Sequence, residues 1–341
     1  MLSAMFLAGL FVLPVVLVYV LMIKGMDRLE PEPWWLLGVM FLWGALGSTL
    51  SAMIFNEVGQ TAVSYALDAS ARDPQVNMLT AVLVAPPVEE STKGFGLLLL
   101  WGASAVALKE LDGPLDGAIY GGVVGLGFTL TEDVLYIASA QAQGGMAGFA
   151  SVFLLRTVLA GLGHATFTAM TGLAIGMASE TRNLAAKITL PVAGWGAAVG
   201  LHALHNYLAT FFLQYGGLLF KLLLFWVFSG LFFVLLFVLA LRDRAIVVQG
   251  LVDEVGRALH PVEYRRTISY WMFVPLANFF VLLSGTGGYR AARRKQLDLI
   301  ELAFLKHRQR YGDGAMDSRE RQLRGLIAHA NQRGVFVGPR T

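Results

Sequence analysis

The chain has 341 residues, of which 56% are hydrophobic and only 14% are charged, and its formal net charge is +3. Soluble domains carry about 25% charged residues, so this composition excludes an ordinary soluble globular protein. Cysteine is absent, which excludes a disulfide framework, a thiol nucleophile and a cysteine metal site.

Apolar runs of twenty or more residues recur along the first 241 positions. Such runs are long enough for helices that cross a bilayer, whereas the strands of a membrane barrel are about ten residues long. The sequence therefore predicts an all-α, polytopic membrane protein with about seven transmembrane helices. They are predicted at about 2–23, 34–55, 78–108, 115–140, 149–178, 187–212 and 217–241.

The loops between these helices differ in positive charge. Lys and Arg fall mainly in the odd-numbered loops, as at Lys24, Arg28 and Arg182, and again directly after the last helix. Cytoplasmic loops carry the excess of Lys and Arg in membrane proteins. We therefore predict a multi-pass protein with its N-terminus outside and its C-terminus in the cytoplasm.

The chain changes character after Leu241. Residues 286–341 contain twelve Lys and Arg against five Asp and Glu, a local net charge of +7. This predicts a transmembrane domain at 1–241 and a basic, helical, cytoplasmic or membrane-peripheral region at 242–341. That region could touch anionic lipid or be an ordinary solvated tail. The apolar segment 270–284 contains a proline and is short for a span, so an interfacial, re-entrant or buried helix is expected.

The third predicted helix carries three ionisable residues, Glu89, Glu90 and Lys93, directly after two prolines. An ionised side chain near the bilayer centre costs about 2.5–3.5 kcal/mol, so three together indicate a functional site or an ion pair. Lys93 can reach both glutamates because it lies three and four residues away. A structural salt bridge is the alternative, but one glutamate would be enough for it.

Three further predicted helices carry polar residues, namely Glu132, His164, and a group formed by His202, His205 and Asn206. At about 1.5 Å per residue, the predicted topology places Glu132, His164, His202 and the glutamate pair within roughly 11 Å along the membrane normal. The sequence therefore predicts one site in the outer half of the bilayer, built from residues 78–212.

These residues form four short motifs in chain order. The motifs are Glu-Glu-x-x-Lys at Glu89, Phe-x-x-x-Glu at Phe128, His-x-x-Phe-Thr-Ala at His164 and His-x-x-x-Asn at His202. Together they resemble the PrsW family of intramembrane proteases, which is related to the CAAX prenyl endopeptidases and to the scaffold subunit of gamma-secretase. The sequence departs from the family pattern at two positions, Asp133 in place of Asn and His205 in place of an aromatic residue.

The resemblance implies an endopeptidase of the bacterial cell membrane. Its substrate would be a single-span membrane protein, for example an anti-sigma factor cut near the outer face to begin a signalling cascade. Peptide hydrolysis requires a base for the water, donors for the oxyanion and an acid for the leaving amine. Glu89 or Glu90 would be the base, with the other held by Lys93.

The remaining candidate residues would complete this chemistry. His202 and Asn206 would donate to the oxyanion, while Glu132 and His164 would position water or act as the acid. No metal or other cofactor is needed in this form, which is the favoured prediction.

Zinc is the alternative, and its ligands would come from Glu90, Glu132, His164, His202 and His205. The His-Glu-x-x-His helix of many zinc proteases is absent. A proton-coupled transporter and a non-catalytic scaffold or substrate-binding subunit are the other two classes of function. No nucleic-acid partner is expected.

Overall fold

The computed structural model describes residues 1–214, 218–269, 285–311 and 317–338, and within these ranges the chain is helical and has no β-strand. The apolar part contains α1 (Leu2–Lys24), α2 (Trp34–Ala66), α3 (Pro74–Leu108), α4 (Pro114–Val152), α5 (Gly163–Glu180), α6 (Leu184–Gln214) and α7 (Leu218–Leu251). Three further helices follow, α8 (Pro261–Thr267), α9 (Thr286–Tyr311) and α10 (Asp317–Gln332). The segment 270–284, for which an interfacial or buried helix was expected, lies outside the described residues.

The segment Pro114–Glu180 is one hairpin that turns at Gly145, within α4, where a φ of 61° and a ψ of −149° interrupt the helix. One arm precedes Gly145, and the other follows it and continues through α5. The arms run antiparallel with their backbones in close approach. A Cβ on Gly125 would lie 2.3 Å from the carbonyl oxygen of His164, and one on Gly121 would lie 2.6 Å from that of Thr168. Small residues permit this approach in membranes. The main chains therefore set the spacing at which the two arms present their polar side chains.

Six helical stretches in the described part of the chain are long and apolar enough to cross a membrane. One of them, Pro114–Glu180, is the hairpin, and the sequence analysis counted its two arms separately. The predicted all-α, polytopic membrane fold is confirmed. The orientation of the termini stays a prediction.

Helix α3 continues through its two prolines without a break. Thr80–Val84 forms a wider π-helical turn, in which the N–H of Ala85 bonds to Thr80 instead of Ala81. The prolines that follow have no N–H to give to the next carbonyls. The carbonyl of Ala81 instead accepts a hydrogen bond from the side chain of Asn206 on α6, at 2.8 Å. The glutamate pair consequently lies in the second turn of the segment Ala85–Ala103.

The chain divides into two compact units. The first comprises Met1–Gly25 and Glu32–Leu236, and the second comprises Met26–Pro31 and Phe237–Thr341. The second unit has its own apolar core, to which α9 and α10 contribute. Buried ion pairs support that core: Lys295 Nζ lies 2.5 Å from Glu263 Oε1, and Lys306 Nζ lies 2.7 Å from Glu254 Oε1.

Candidate active site

Glu90 on α3 is fully buried and is held by three short hydrogen bonds. Its Oε1 accepts from Lys93 Nζ at 2.8 Å and lies 3.0 Å from His202 Nδ1, while its Oε2 accepts from Thr168 Oγ1 at 2.8 Å. Both oxygens are therefore occupied. Glu90 is suited to hold neighbouring groups in place.

Glu89 is held more loosely than Glu90. Its Oε1 accepts from Asn56 Nδ2 at 3.3 Å, and its Oε2 lies 3.5 Å from Lys93 Nζ and 3.8 Å from His202 Nε2. The Glu89 side chain keeps 7% exposure, whereas that of Glu90 has none. Of the two glutamates, Glu89 is the one whose oxygens are better placed to exchange partners with a water, a substrate or a metal ion.

The Lys93 ammonium lies at the centre of the cluster and is fully buried. Besides its contacts with the two glutamates, Nζ lies 3.0 Å from His164 Nδ1 and 3.8 Å from the centroid of the Phe128 ring. A cation over a ring face is attracted by the ring quadrupole. The ion pair predicted from the spacing on α3 is thus present, and Lys93 extends it to α4 and α5.

His164 connects this cluster to a second group of charges. Its Nε2 lies 2.8 Å from Glu132 Oε2, and the same oxygen accepts from Arg156 Nη2 at 2.6 Å. Arg156 Nε in turn donates to Asp133 Oδ1 at 3.0 Å. The hairpin therefore supplies a continuous chain of contacts that runs from the Asp133 carboxylate through the Arg156 guanidinium and the Glu132 carboxylate to the His164 imidazole.

The partners of His164 determine which of its nitrogens carries the hydrogen. An ammonium can only donate, and an ionised carboxylate can only accept. His164 Nδ1 faces Lys93 and therefore accepts, while its Nε2–H donates to Glu132. The lone pair of Nδ1 is consequently directed into the cluster.

The same reasoning applies to His202. Its Nδ1 lies against Glu90 and donates to that carboxylate, so Nε2 carries the lone pair and faces Glu89 Oε2. The two rings are packed by aromatic neighbours: the His202 ring stacks on Phe167 at 5.1 Å, and the His164 ring lies 5.0 Å from that of Phe128. Both imidazoles are thus oriented with a lone pair towards the cluster.

Glu89, His164 and His202 could together hold a metal ion, because one ligand atom from each lies within 4.8 Å of the others. Two imidazoles and one carboxylate are the protein ligands of several catalytic zinc sites, in which water takes the fourth position. The outward nitrogen of each histidine is held by a carboxylate, Glu132 or Glu90, as is usual for metal-binding histidines. The donor set therefore fits zinc. Glu90 and Glu132, which were predicted as possible ligands, instead contact the histidine nitrogens that face away from the metal position.

The charges of the connected network do not balance when both histidines are neutral. Four carboxylates face two cations, which leaves a net charge of −2; the groups are Glu89, Glu90, Glu132, Asp133, Lys93 and Arg156. An uncompensated buried charge is costly. One divalent cation or two protons would neutralise this network.

Two of the predicted site residues have their described contacts elsewhere. The Asn206 side chain bonds to the backbone of α3, as described above. The His205 ring lies 5.6 Å from that of Phe167 and 5.8 Å from that of Phe225, and it lines a small apolar cavity between α5, α6 and α7. In the described part of the chain, the residues brought together are therefore Glu89, Glu90, Lys93, Glu132, His164 and His202.

Asn56, whose amide donates to Glu89, is not among the site residues predicted from the sequence. The second predicted helix ended at residue 55, but α2 continues to Ala66 and so places this amide inside the helix. An asparagine within an apolar helical run was the signal that could have found it. Among the described residues, Asn56 Oδ1 is buried and has no hydrogen-bond partner.

A groove of about 620 Å³ lies between α2 and α3, next to the cluster. Phe55 and Val58 line it on α2, and Pro87, Val88 and Ser91 line it on α3. The lining residues of α3 come from the same turns that carry the buried glutamate pair. A polypeptide segment lying in this groove would run alongside the helix that bears the site.

Comparison with known proteins gives one match. A family model described as PrsW family intramembrane metalloprotease matches residues 32–240. The matched range includes α2 to α6 and all residues of the cluster. No curated protein and no solved structure gives a significant match.

Proposed function

Because the chain belongs to the PrsW family of intramembrane metalloproteases, we propose that its buried cluster hydrolyses peptide bonds of membrane-protein substrates, within the bilayer or at its outer edge. The observation that carries the proposal is the pair of histidines beside Glu89. Each is oriented by its own carboxylate, and each directs a lone pair into the cluster.

In the metal-free form of this proposal, Glu89 takes the proton of the attacking water. Its contacts are longer than those of Glu90, so they can be exchanged for a water at a smaller cost. The oxygen of the water bonds to the substrate carbonyl carbon. Glu89 then returns the proton to the leaving nitrogen as the carbon–nitrogen bond breaks. Glu90 and Lys93 hold the surrounding side chains in place.

We further propose a zinc form of the site, in which Glu89, His164 and His202 hold the ion and Glu132 and Glu90 orient the two histidines. In that form Glu89 would be a ligand and would not be the base. Bound zinc would polarise the substrate carbonyl and activate a water. Lys93 donates to His164 Nδ1, so this hydrogen bond must break before that nitrogen can bind a metal.

Two observations support zinc over the metal-free form favoured by the sequence analysis. The expected oxyanion donors are engaged elsewhere, because the N–H of His202 faces Glu90 and the amide of Asn206 bonds to Ala81. The network also carries the net charge of −2 described above, which a divalent ion would neutralise.

The substrate we propose is a single-span membrane protein, for example an anti-sigma factor cut near its outer face. A transmembrane helix hides its peptide carbonyls in its own hydrogen bonds. Cleavage should therefore occur where the substrate helix frays or in the segment next to the membrane. The region after residue 241 would lie on the cytoplasmic side, where its positive charge favours anionic lipid.

The test is cleavage of a candidate single-span substrate by the purified full-length protein. Glu89→Gln should abolish turnover and leave the fold intact, because the amide keeps the shape of the side chain but can neither take up the proton nor bind zinc as a carboxylate does. Glu90→Gln should lower thermal stability as well as turnover. Glu57→Gln is the matched control, since this glutamate is exposed on α2. Wild-type turnover in Glu89→Gln would contradict the assignment of the base.

The metal and the side of cleavage are tested separately. Purified protein should contain close to one zinc per chain, chelation should remove activity, and added zinc should restore it. Full activity after exhaustive chelation, with no metal detected, would leave the metal-free form. Mass spectrometry of the products locates the cut, and a scissile bond on the cytoplasmic side would contradict the predicted topology.

A further inference from the structure

We infer that Arg156 is a positioning residue of this site: together with Asp133, it fixes Glu132 against His164 and so keeps the lone pair of His164 Nδ1 directed into the cluster. The inference rests on the proposed function, because it concerns the same site. It assigns a role in that site to a residue outside the four motifs.

The geometry at Glu132 carries the inference. A single oxygen, Oε2, receives both Arg156 Nη2 at 2.6 Å and His164 Nε2 at 2.8 Å. A displacement of the guanidinium therefore displaces the oxygen that orients the imidazole. An arginine can hold this oxygen and a second carboxylate together, because its planar group presents several donors in a fixed geometry.

Arg156 is itself held from two further sides. Its Nε donates to Asp133 Oδ1 at 3.0 Å, and Asp133 Oδ2 accepts from Thr157 Oγ1 at 2.8 Å. Its guanidinium also lies 3.9 Å from the centroid of the Tyr136 ring. The position of the guanidinium is thus determined by groups that have no contact with substrate in the proposed mechanism.

The backbone around Arg156 is irregular, and two adjacent side chains, those of Arg156 and Thr157, both reach the carboxylate of Asp133. Phe153–Leu159 is a π-helical segment, and α5 begins at Gly163 after a break. Two carbonyls of this segment, those of Thr157 and Val158, face the Tyr19 hydroxyl of α1, which donates to Val158 at 2.8 Å. Such π-helical turns are frequent at functional sites.

The experiment compares Arg156→Gln, Arg156→Lys and the control Arg72→Gln, whose arginine is exposed in a loop. The first measurement is the tautomer of His164, read by ¹⁵N nuclear magnetic resonance of histidine-labelled protein and assigned by the signal lost in His164→Gln. Wild type and Arg72→Gln should show a single form with hydrogen on Nε2. Arg156→Gln should show a mixture, because a ring that Glu132 no longer holds can turn away from Lys93. Arg156→Lys should restore the single form in part because an ammonium reaches one carboxylate.

The second measurement is zinc affinity, together with kcat/KM for cleavage. Loss of a group that orients a metal-binding histidine typically costs about 10–100-fold in metal affinity or activity, and Arg156→Gln should fall in that range. The double variant Arg156→Gln with Asp133→Asn separates positioning from folding. It removes one of the two carboxylates that lose their cation, so thermal stability should recover in part while His164 remains a mixture of tautomers.

Three outcomes would overturn the inference: an unchanged His164 spectrum in Arg156→Gln, unchanged zinc affinity in that variant, or recovery of the single tautomer in the double variant. The last outcome would show that Arg156→Gln changes the His164 tautomer only because it lowers the stability of the fold. If wild-type protein cleaves no substrate but the spectrum changes as expected, the positioning role stands and the proposed protease function fails.

Discussion

Replacing Lys93 with methionine should make the stability of the protein more strongly dependent on zinc. Lys93 Nζ contacts both glutamates of α3 and is fully buried, so Lys93→Met removes one of only two cations that face four carboxylates. Methionine has a similar length and no charge. The change therefore leaves Glu90 with an uncompensated charge and frees Nδ1 of His164 from its donor.

The expected magnitude follows from these contacts. Breaking a buried ion pair by removing one partner costs about 3–5 kcal/mol. A ligand present at 100 times its dissociation constant stabilises the folded state by about 2.7 kcal/mol. Zinc should also bind Lys93→Met more tightly than wild type, because the ammonium no longer competes for His164 Nδ1. Most of the lost stability should therefore return when zinc is added.

The assay is thermal unfolding in detergent, followed by tryptophan fluorescence with chelator and with zinc. Wild type and Lys93→Met should both be more stable with zinc than with chelator, and the increase should be larger for Lys93→Met. Lys187→Met, at the cytoplasmic end of α6 in the predicted topology, is the control and should match wild type. A Lys93→Met protein that is as stable as wild type in chelator would refute the charge argument.

Three further changes test other parts of the structure. His205→Phe should keep the aromatic packing and leave zinc content unchanged, and a loss of bound zinc would restore His205 as a ligand. Asn206→Ala should lower the free energy of unfolding by about 0.5–1.5 kcal/mol, because the half-buried carbonyl of Ala81 loses its donor; unchanged thermal stability would contradict this role. In the second unit, burial raises the pKa of Glu30 to about 7, against the attraction of Arg308. A raised pKa means that the folded state binds the proton more strongly, so stability should fall as pH rises from about 4.5 to about 7 and then level off. Glu30→Gln should remove this decline in unfolding experiments across that pH range.

The residue types of the site could be predicted from the sequence because ionisable groups are costly in a membrane and therefore conspicuous. The glutamate pair and Lys93 stand out in an apolar run, and their spacing alone predicts the ion pair that the structure contains. The same holds for the helical fold, since each long apolar run corresponds to a helix of spanning length.

The roles of individual residues could not be predicted in this way, because they depend on which helices pack together. The sequence gives no reason to expect that Glu90 is occupied by three donors and Glu89 by weaker contacts, since the difference arises from Thr168 and His202 on other helices. Asn206 likewise follows a family motif, but its hydrogen bond depends on a π-helical turn in α3. Helix irregularities of this kind leave no periodic pattern in the sequence.

The charged hairpin has a consequence for biosynthesis. Glu132 and Arg156 lie only 24 residues apart and contact each other across a turn, with Asp133 beside them. Entering the bilayer one at a time, each ionised group would cost about 2.5–3.5 kcal/mol. If the two arms leave the translocation machinery together, the acids meet their arginine before either arm is exposed to lipid alone. Insertion of this hairpin should therefore proceed as a single unit.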